Sequence, residues 1–169
     1  MFRYVASAAM AVSALLAATA LQASEAAFLE GLAGNWTGKG TVRVRADSSP
    51  ITVNCKFNSD ATASSLSLAG NCRGLVIVSR AIRADLKANG EKYAGSYVGS
   101  RSGTAGLSGT RNGNAINLGI RWAREVNGDR KALMTLEKIG ENGMKLTTVD
   151  VDPKTGKNVV TSQINLSRL

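Results

Sequence analysis

Four Asn-Gly dipeptides divide the second half of the chain into short segments. They lie at Asn89-Gly90, Asn112-Gly113, Asn127-Gly128 and Asn142-Gly143. Both residues accept a positive φ, so Asn-Gly between alternating segments is the strongest short-range signal for a two-residue hairpin turn. The segments between these dipeptides alternate apolar and polar residues, as strands with one buried face do. The sequence therefore predicts a run of antiparallel hairpins.

Centring each turn on its Asn-Gly predicts which residues face each other. The first hairpin then sets Ile82, Ala84 and Leu86 opposite Tyr97, Gly95 and Tyr93. The second sets Ala105, Leu107 and Gly109 opposite Ile120, Leu118 and Ile116. The third brings Trp122 opposite Leu133, and the fourth joins strands near Lys131–Ile139 and Met144–Val151. After a turn at 152–156, a last strand turns Val160, Ile164 and Leu166 to one face.

An earlier hairpin predicts a disulfide. If the strands around a turn at 61–65 pair so that opposite positions sum to 127, Cys55 faces Cys72. The same register forms one apolar face from the pairs Ile51/Val76, Val53/Gly74, Phe57/Gly70 and Ala61/Leu66. Directly opposite residues can satisfy disulfide geometry when they form a non-hydrogen-bonded pair. The alternative is two free buried thiols.

The whole pattern predicts an all-β fold. About ten strands in sequential order, each with one apolar face, favour a soluble antiparallel up-and-down β-barrel of about 8–10 strands, because closure removes exposed edges. A β-sandwich is the alternative. A membrane-spanning barrel would turn its apolar face to lipid and carry aromatic girdles. With two Trp, three Tyr and three Phe in 169 residues, the sequence favours the soluble barrel.

The N-terminus is typical of an export signal. Arg3 precedes an apolar run at 5–16, and small residues offer cleavage after Ala20, Ala23 or Ala26. We take residues 1–23 as the signal peptide, 24–33 as a lead-in that forms a helical turn or a loose lid, and 34–169 as one barrel domain. An uncleaved membrane anchor is the alternative. The expected location is the periplasm or the medium, with no membrane span after cleavage.

The charge indicates the class of partner. Cleavage after Ala23 removes one of 21 basic residues and none of 12 acidic ones, leaving 20 − 12 = +8. An exported basic protein favours anionic ligands or envelope surfaces. Nucleic acid is disfavoured because the basic residues are scattered. A charged surface that only keeps the protein dissolved is the simpler interpretation.

Gly34-x-Trp36 at the start of the first strand resembles the calycin group of lipocalins, fatty-acid-binding proteins and avidins. The resemblance implies that Trp36 plugs one barrel end and that a basic residue of the last strand packs over its ring. Arg168 is the matching residue and Arg121 the second choice. The chain lacks the two-helix insert of the fatty-acid-binding branch and the several Trp residues of avidins.

A weaker resemblance is to the periplasmic metalloprotease inhibitors of Gram-negative bacteria. These small barrels have an early Trp followed by a disulfide pair, an order that Trp36, Cys55 and Cys72 share. The resemblance implies a protein-interaction barrel, either a protease inhibitor or an envelope assembly factor.

No catalytic set is visible. The chain has no His, which excludes Ser-His-Asp and Cys-His catalysis and His-based zinc or haem ligation. Asp150-x-Asp152 beside Gly156 has too few ligands for a calcium loop and is interpreted as an ordinary turn. We therefore expect a non-enzymatic protein without metal or cofactor.

Small residues at strand positions leave two interpretations of the interior. Ala84, Gly95, Ala105, Gly106, Gly109 and Gly119 allow either close packing or a ligand cavity. The residues that would line such a cavity are Leu86, Tyr93, Tyr97, Leu107, Leu118, Ile120, Trp122 and Leu133. The expected function is binding of a small apolar or anionic envelope molecule, with a protein-interaction barrel as the alternative.

Overall fold

The computed structural model describes residues 23–74 and 78–169. The predicted signal peptide, apart from Ala23, and the predicted partner Val76 lie outside these residues. A helix, α1, covers 23–30. The ten strands that follow are β1 Gly34–Val42, β2 Ile51–Thr62, β3 Ser65–Gly74, β4 Val78–Asn89, β5 Lys92–Val98, β6 Ala105–Asn112, β7 Ala115–Val126, β8 Asp129–Ile139, β9 Gly143–Val151 and β10 Asn158–Arg168.

The ten strands form a closed antiparallel barrel. Each strand pairs with its neighbours in sequence, and β1 closes the ring by pairing with both β2 and β10. The predicted up-and-down barrel is therefore confirmed, with ten strands. Closure leaves none of these strands with an unpaired edge.

The β2–β3 hairpin has the predicted register. Cys55 is the cross-strand partner of Cys72, with a two-residue turn at 63–64. The two Cα atoms are 4.1 Å apart and the cysteines form a disulfide. The apolar face predicted around them lies inside the barrel, where Val53 and Phe57 are buried.

Two of the Asn-Gly turns are shifted by one residue. Asn89 pairs with Lys92 and Asn112 with Ala115, so Gly90 and Gly113 are the first residues of their turns. Their φ values of 56° and 59° are those that a first turn position of type II′ requires of glycine. The predicted pairings are consequently wrong by two residues. An even slip preserves the face of every side chain, so the predicted inward sets still point inward.

The other two Asn-Gly pairs behave differently from each other. Asn127 and Gly128 form the predicted two-residue turn, with φ values of 55° and 91°. The fourth pair does not form a turn, because Gly143 already belongs to β9 and pairs with Ile139. The chain reverses there through a three-residue loop in which Gly140 has the positive φ of 59°.

The prediction that Leu133 faces Trp122 is wrong because the pairing of β7 with β8 is irregular. Val126 pairs with Asp129, as predicted from the turn, but Arg121 pairs with Lys131. Three additional residues of β7 are accommodated between these pairs. An odd shift exchanges the two faces of one strand relative to the other. Leu133 therefore faces outward, 58% exposed, opposite Gly119 rather than Trp122.

The prediction that Val160 shares a face with Ile164 and Leu166 is also wrong, because the pairing of β10 with β9 is irregular. The register between β10 and β9 shifts between Val160 and Ser162. Thr161 is buried at the shift, and Val160 is 45% exposed. Val160 therefore does not share the inner face of Ile164 and Leu166, because the extra residue turns the chain over.

The core fills the barrel and continues under α1. Alternate strand residues contribute the inner side chains, and Phe28, Leu29 and Leu32 from the helical segment join the same buried cluster. Charged side chains are concentrated on the outer face, which is the polarity predicted for a sheet whose outer surface meets water. Among residues 23–74 and 78–169, no helix has the length and apolarity needed to cross a bilayer.

Candidate functional site

The barrel has two ends, and the helix α1 lies at one of them. We call the end under α1, with the turns at 63–64, 90–91, 113–114 and 140–142, the helix end. We call the opposite end, with the segments 43–50, 99–104, 127–128 and 152–157, the loop end. Up-and-down order places every second connection at the same end, so this division follows from the topology.

Trp36 and Arg168 seal part of the helix end. The Trp36 ring is fully buried, and its Nε1–H donates to the carbonyl of Leu32 at 3.1 Å. The Arg168 guanidinium lies 4.4 Å from the ring centroid and donates to the carbonyls of Gly31 and Ala33. This is the arrangement that the calycin resemblance implies. Arg121, the second choice, is exposed on the outer wall.

Gly34 permits this closure. Its φ of 133° lies in the region that favours glycine, and a Cβ added there would clash with Arg168 Nη1. Any side chain would therefore displace the guanidinium from its place over the ring. The three predicted closure residues form one structural unit that joins the first and last strands.

A buried ionic network fixes α1 to the barrel. Glu25 is 3% exposed and accepts hydrogen bonds from the Tyr93 hydroxyl and from Arg111 Nε, the latter at 2.8 Å. Arg111 also lies over the Phe28 ring, 4.7 Å from its centroid. Burial, and secondly the bond to Glu25, raises the pKa of Tyr93 above its usual range. Tyr93, predicted as a cavity residue, anchors the helix instead.

Sequence reasoning missed Glu25 and Arg111. The signal available was Glu25 within a short apolar helix, where an acidic residue in phase with Phe28 and Leu29 requires a buried partner. The identity of that partner depends on which strand lies beneath the helix, and only the barrel geometry supplies it.

Four of the predicted cavity residues surround an interior void. Leu86, Tyr97, Leu107 and Leu118 line it, together with aliphatic side chains of the neighbouring strands. The void measures about 40 Å³. Thr148 and Ser162 add hydroxyl groups to an otherwise apolar lining. The interior is thus nearly filled, as the close-packing interpretation expected.

The remaining predicted cavity residues lie around this void or outside it. Ile120 and Trp122 are buried on the inner face of β7, at 3% and 4% exposure. The Trp122 and Tyr97 rings pack with centroids 6.0 Å apart. Within the described residues, Trp122 Nε1 has no hydrogen-bond acceptor although it is buried. Leu133 is outside, on the outer wall.

Arg80 brings a cation to the loop end of the barrel. Trp122 also lies near this end, because β4 begins there and β7 ends there. Arg80 is the cross-strand partner of Cys72 on β4, in phase with the inward-facing Ile82 and Ala84, and is half-buried. Burial raises the pKa of Tyr97 to about 12, and the Arg80 charge acts in the opposite direction. Sequence reasoning missed Arg80, although its place two residues before Ile82 was a signal.

The carboxylates of Asp150 and Asp152 accept hydrogen bonds from other groups of the chain. Asp150 is buried and accepts from Asn127 Nδ2 at 2.7 Å and from the Val151 N–H at 2.9 Å. Burial raises its pKa, despite those two bonds. Asp152 accepts from the Lys154 N–H and the Thr155 hydroxyl, both at 2.9 Å. The described residues contain no cluster of three or more acidic or cysteine side chains positioned for a metal ion.

An open groove crosses the outer wall near the helix end. It spans β3, β4 and β5, with a volume of about 590 Å³, and its polar lining includes Ser67, Asp85, Lys87 and Ser96. Asp85 accepts hydrogen bonds from Ser67 and Arg83, and these bonds, that of Arg83 first, lower the Asp85 pKa. The groove lies on the outer wall and is separate from the interior void.

Comparison with solved structures supports the fold. The chain is similar to the crystal structure described as Rv2717c from M. tuberculosis, with a TM-score of 0.65 and 16% sequence identity. The match covers 89% of this chain and 97% of that one. No family model and no curated protein matches the chain. At this identity the likeness shows a shared barrel fold.

Proposed function

We propose that this protein is an exported, non-enzymatic barrel that binds a small apolar or anionic molecule of the cell envelope at its loop end. The observation that carries the proposal is the buried indole N–H of Trp122, which has no acceptor among the described residues. A buried donor left unpaired costs about 1–3 kcal/mol. A ligand that presents an oxygen to this N–H would recover that energy.

The surroundings of Trp122 favour an amphipathic ligand. Tyr97, which packs against Trp122, also lines the aliphatic interior void. Arg80 lies close enough to Tyr97 for its charge to act on the phenol. Apolar walls with a few converging polar groups are the usual composition of a small-molecule site. A short acyl chain with a carboxylate or another anionic head has the matching chemistry.

The size of the void sets a condition on this binding. Small-molecule sites commonly measure about 300–1,000 Å³, whereas the void measures about 40 Å³. Side chains must therefore move to admit an acyl chain. Met134, which lines the void, has three rotatable bonds and adapts readily to such changes.

Export is part of the proposal. It is supported by the signal-like N-terminus and by the disulfide between Cys55 and Cys72, since disulfides persist in oxidising compartments.

Native mass spectrometry and a ligand titration test the binding. Protein purified from its own envelope should carry an added mass, and a fluorescent fatty acid should bind the emptied protein with saturation. We expect W122F to weaken that binding about tenfold, and R80Q to weaken binding of the acid but not of the corresponding alcohol. I139A, which removes an exposed apolar side chain near the helix end, is the matched control and should bind normally. An empty native protein together with no saturable binding contradicts the proposal.

The second candidate is a protein-interaction barrel, either a protease inhibitor or an envelope assembly factor. The nearly filled interior and the outer groove of about 590 Å³ favour it. The charge reversal D85K in the groove should abolish capture of such a partner while leaving fatty-acid binding intact. A panel of periplasmic proteases assayed with the wild-type protein tests the inhibitor version, and activity of all of them at saturating protein excludes it.

A further inference from the structure

The outer wall near the loop end carries an apolar row across three adjacent strands. Leu133 on β8, Val149 on β9 and Val160 on β10 are successive cross-strand partners on the outer face. Leu133 is 58% exposed and Val160 45%. Val151, two residues beyond Val149 on the same face, is 37% exposed. We call these four residues the apolar row.

The two strand irregularities create this row. The shift in β7 turns Leu133 outward and the shift at Val160 turns that side chain outward, one on each side of β9. A regular ladder would bury both residues inside the barrel. Irregularities of this kind re-aim side chains and are commonly features of function. Together, the two irregularities expose large aliphatic side chains at neighbouring positions.

A pair of cations borders the row. Arg121 on β7 and Lys131 on β8 are cross-strand partners, and both are exposed. Like charges directly opposite each other destabilise a sheet. Within the described residues neither side chain forms a salt bridge; the nearby Asp129 carboxylate accepts the backbone N–H of Lys131. The apolar row and this pair, which together we call the docking patch, contain no carboxylate.

We propose that the docking patch seats the barrel on an anionic lipid bilayer. Exposed aliphatic side chains next to unpaired cations suit a surface that offers acyl chains beneath negative head groups. After cleavage at Ala23 the chain carries a net charge of 20 − 12 = +8, which attracts an extended anionic surface from a distance.

Other occupants fit the docking patch less well. A second copy of the chain would bring the same two cations into the interface, and like-charge juxtaposition opposes association. Protein interfaces usually depend on aromatic or arginine anchors that fill pockets. The apolar row instead consists of one leucine and three valines on the convex wall of a barrel.

Vesicle co-sedimentation of the purified full-length or mature protein tests the proposal. Vesicles of phosphatidylglycerol and phosphatidylethanolamine should bind the protein, those of phosphatidylcholine alone should not, and added salt should weaken binding because it screens the charges. We expect R121Q/K131Q to weaken binding about 30-fold, from about fivefold per cation. L133S/V160S should weaken it at least tenfold.

Matched controls separate the docking patch from charge and apolarity in general. K87Q/K92Q removes two cations elsewhere on the barrel, and I139S removes an exposed apolar residue near the helix end. The fold loss of vesicle binding in each control should be less than half of the loss in the corresponding patch variant. Circular dichroism verifies that each variant is folded. Equal loss in patch and control variants, equal binding to phosphatidylcholine, or no binding at all overturns the proposal. So does selective capture of an acidic protein by the docking patch without vesicle binding, which would assign it to a protein partner.

Discussion

Arg168 on the last strand is the cross-strand partner of Trp36 on the first, and its guanidinium carbon lies 4.4 Å from the centroid of the indole ring. The same guanidinium donates to two carbonyls of the segment between α1 and β1, those of Gly31 and Ala33. One side chain therefore joins the barrel seam to the helix that covers it.

The first prediction concerns this contact. R168A should lower the free energy of unfolding by about 2–4 kcal/mol, because it removes a cation–π contact and the hydrogen bonds that the guanidinium donates to backbone carbonyls. R168K retains the charge but not the planar fork, and should recover less than half of the loss. Urea denaturation of both variants measures this. Full recovery in R168K would show that the charge alone is sufficient.

The second prediction concerns the Glu25 network. E25A should cost about 3–5 kcal/mol, because it leaves Arg111 partly buried without its partner. E91A is the matched control: the Glu91 carboxylate is exposed and 4.0 Å from Arg111, so its removal should cost less than about 1 kcal/mol. Hydrogen exchange of the α1 amides should rise in E25A and not in E91A. Equal effects of the two variants would contradict the assigned role of Glu25.

The third prediction concerns the disulfide. Cys55 and Cys72 are 17 residues apart in sequence, and a link closing a loop of this length stabilises a protein by about 3 kcal/mol. The double variant C55A/C72A should lose about that amount in urea denaturation. Alkylation of the wild-type protein without reductant should label neither cysteine. Labelling of both would contradict the bond.

The fourth prediction concerns two aspartates with opposite pKa shifts. Burial raises the pKa of Asp150 from its ordinary 3.8, so the folded state binds the proton more tightly and stability falls as pH rises through that raised pKa. Hydrogen bonds, that of the Lys154 backbone first, lower the pKa of Asp152, so stability falls as pH drops through its lowered pKa. The first loss should be absent in D150N and the second in D152N. Unfolding curves measured from about pH 2 to pH 7 test both signs, and variants whose curves parallel the wild type contradict them.

The fifth prediction tests the faces of β8. Leu136 is 3% exposed inside the barrel and Leu133 is 58% exposed outside. L136A should therefore cost about 2–5 kcal/mol, whereas L133A should change stability by less than about 0.5 kcal/mol. Chemical denaturation of the two variants gives the comparison. A large loss of stability in L133A would instead support the regular register in which Leu133 faces Trp122.

The sequence predicted the inward faces better than the pairings. The hairpins at the first two Asn-Gly sites slip by two residues, which leaves Leu86 and Tyr97 facing inward as expected. Leu133 and Val160 were misplaced because an odd irregularity reverses the face, and alternation alone does not mark where a strand contains extra residues. Arg80 and Glu25 lie in phase with apolar residues, which signals burial, but the residues that face them are known only from the tertiary structure.

Gly34, Trp36 and Arg168 could be chosen from the sequence because the calycin resemblance ties a Gly-x-Trp at the first strand to a basic residue on the last. The alternation of apolar and polar residues, the turn residues and the Cys55–Cys72 spacing determined by themselves a run of antiparallel hairpins with one hairpin in fixed register, since strand period and turn chemistry are local properties. Only the tertiary structure decided how full the interior is, which end α1 seals, and which aliphatic groups face out. Those features depend on barrel closure and on extra residues within strands, where residues distant in sequence meet.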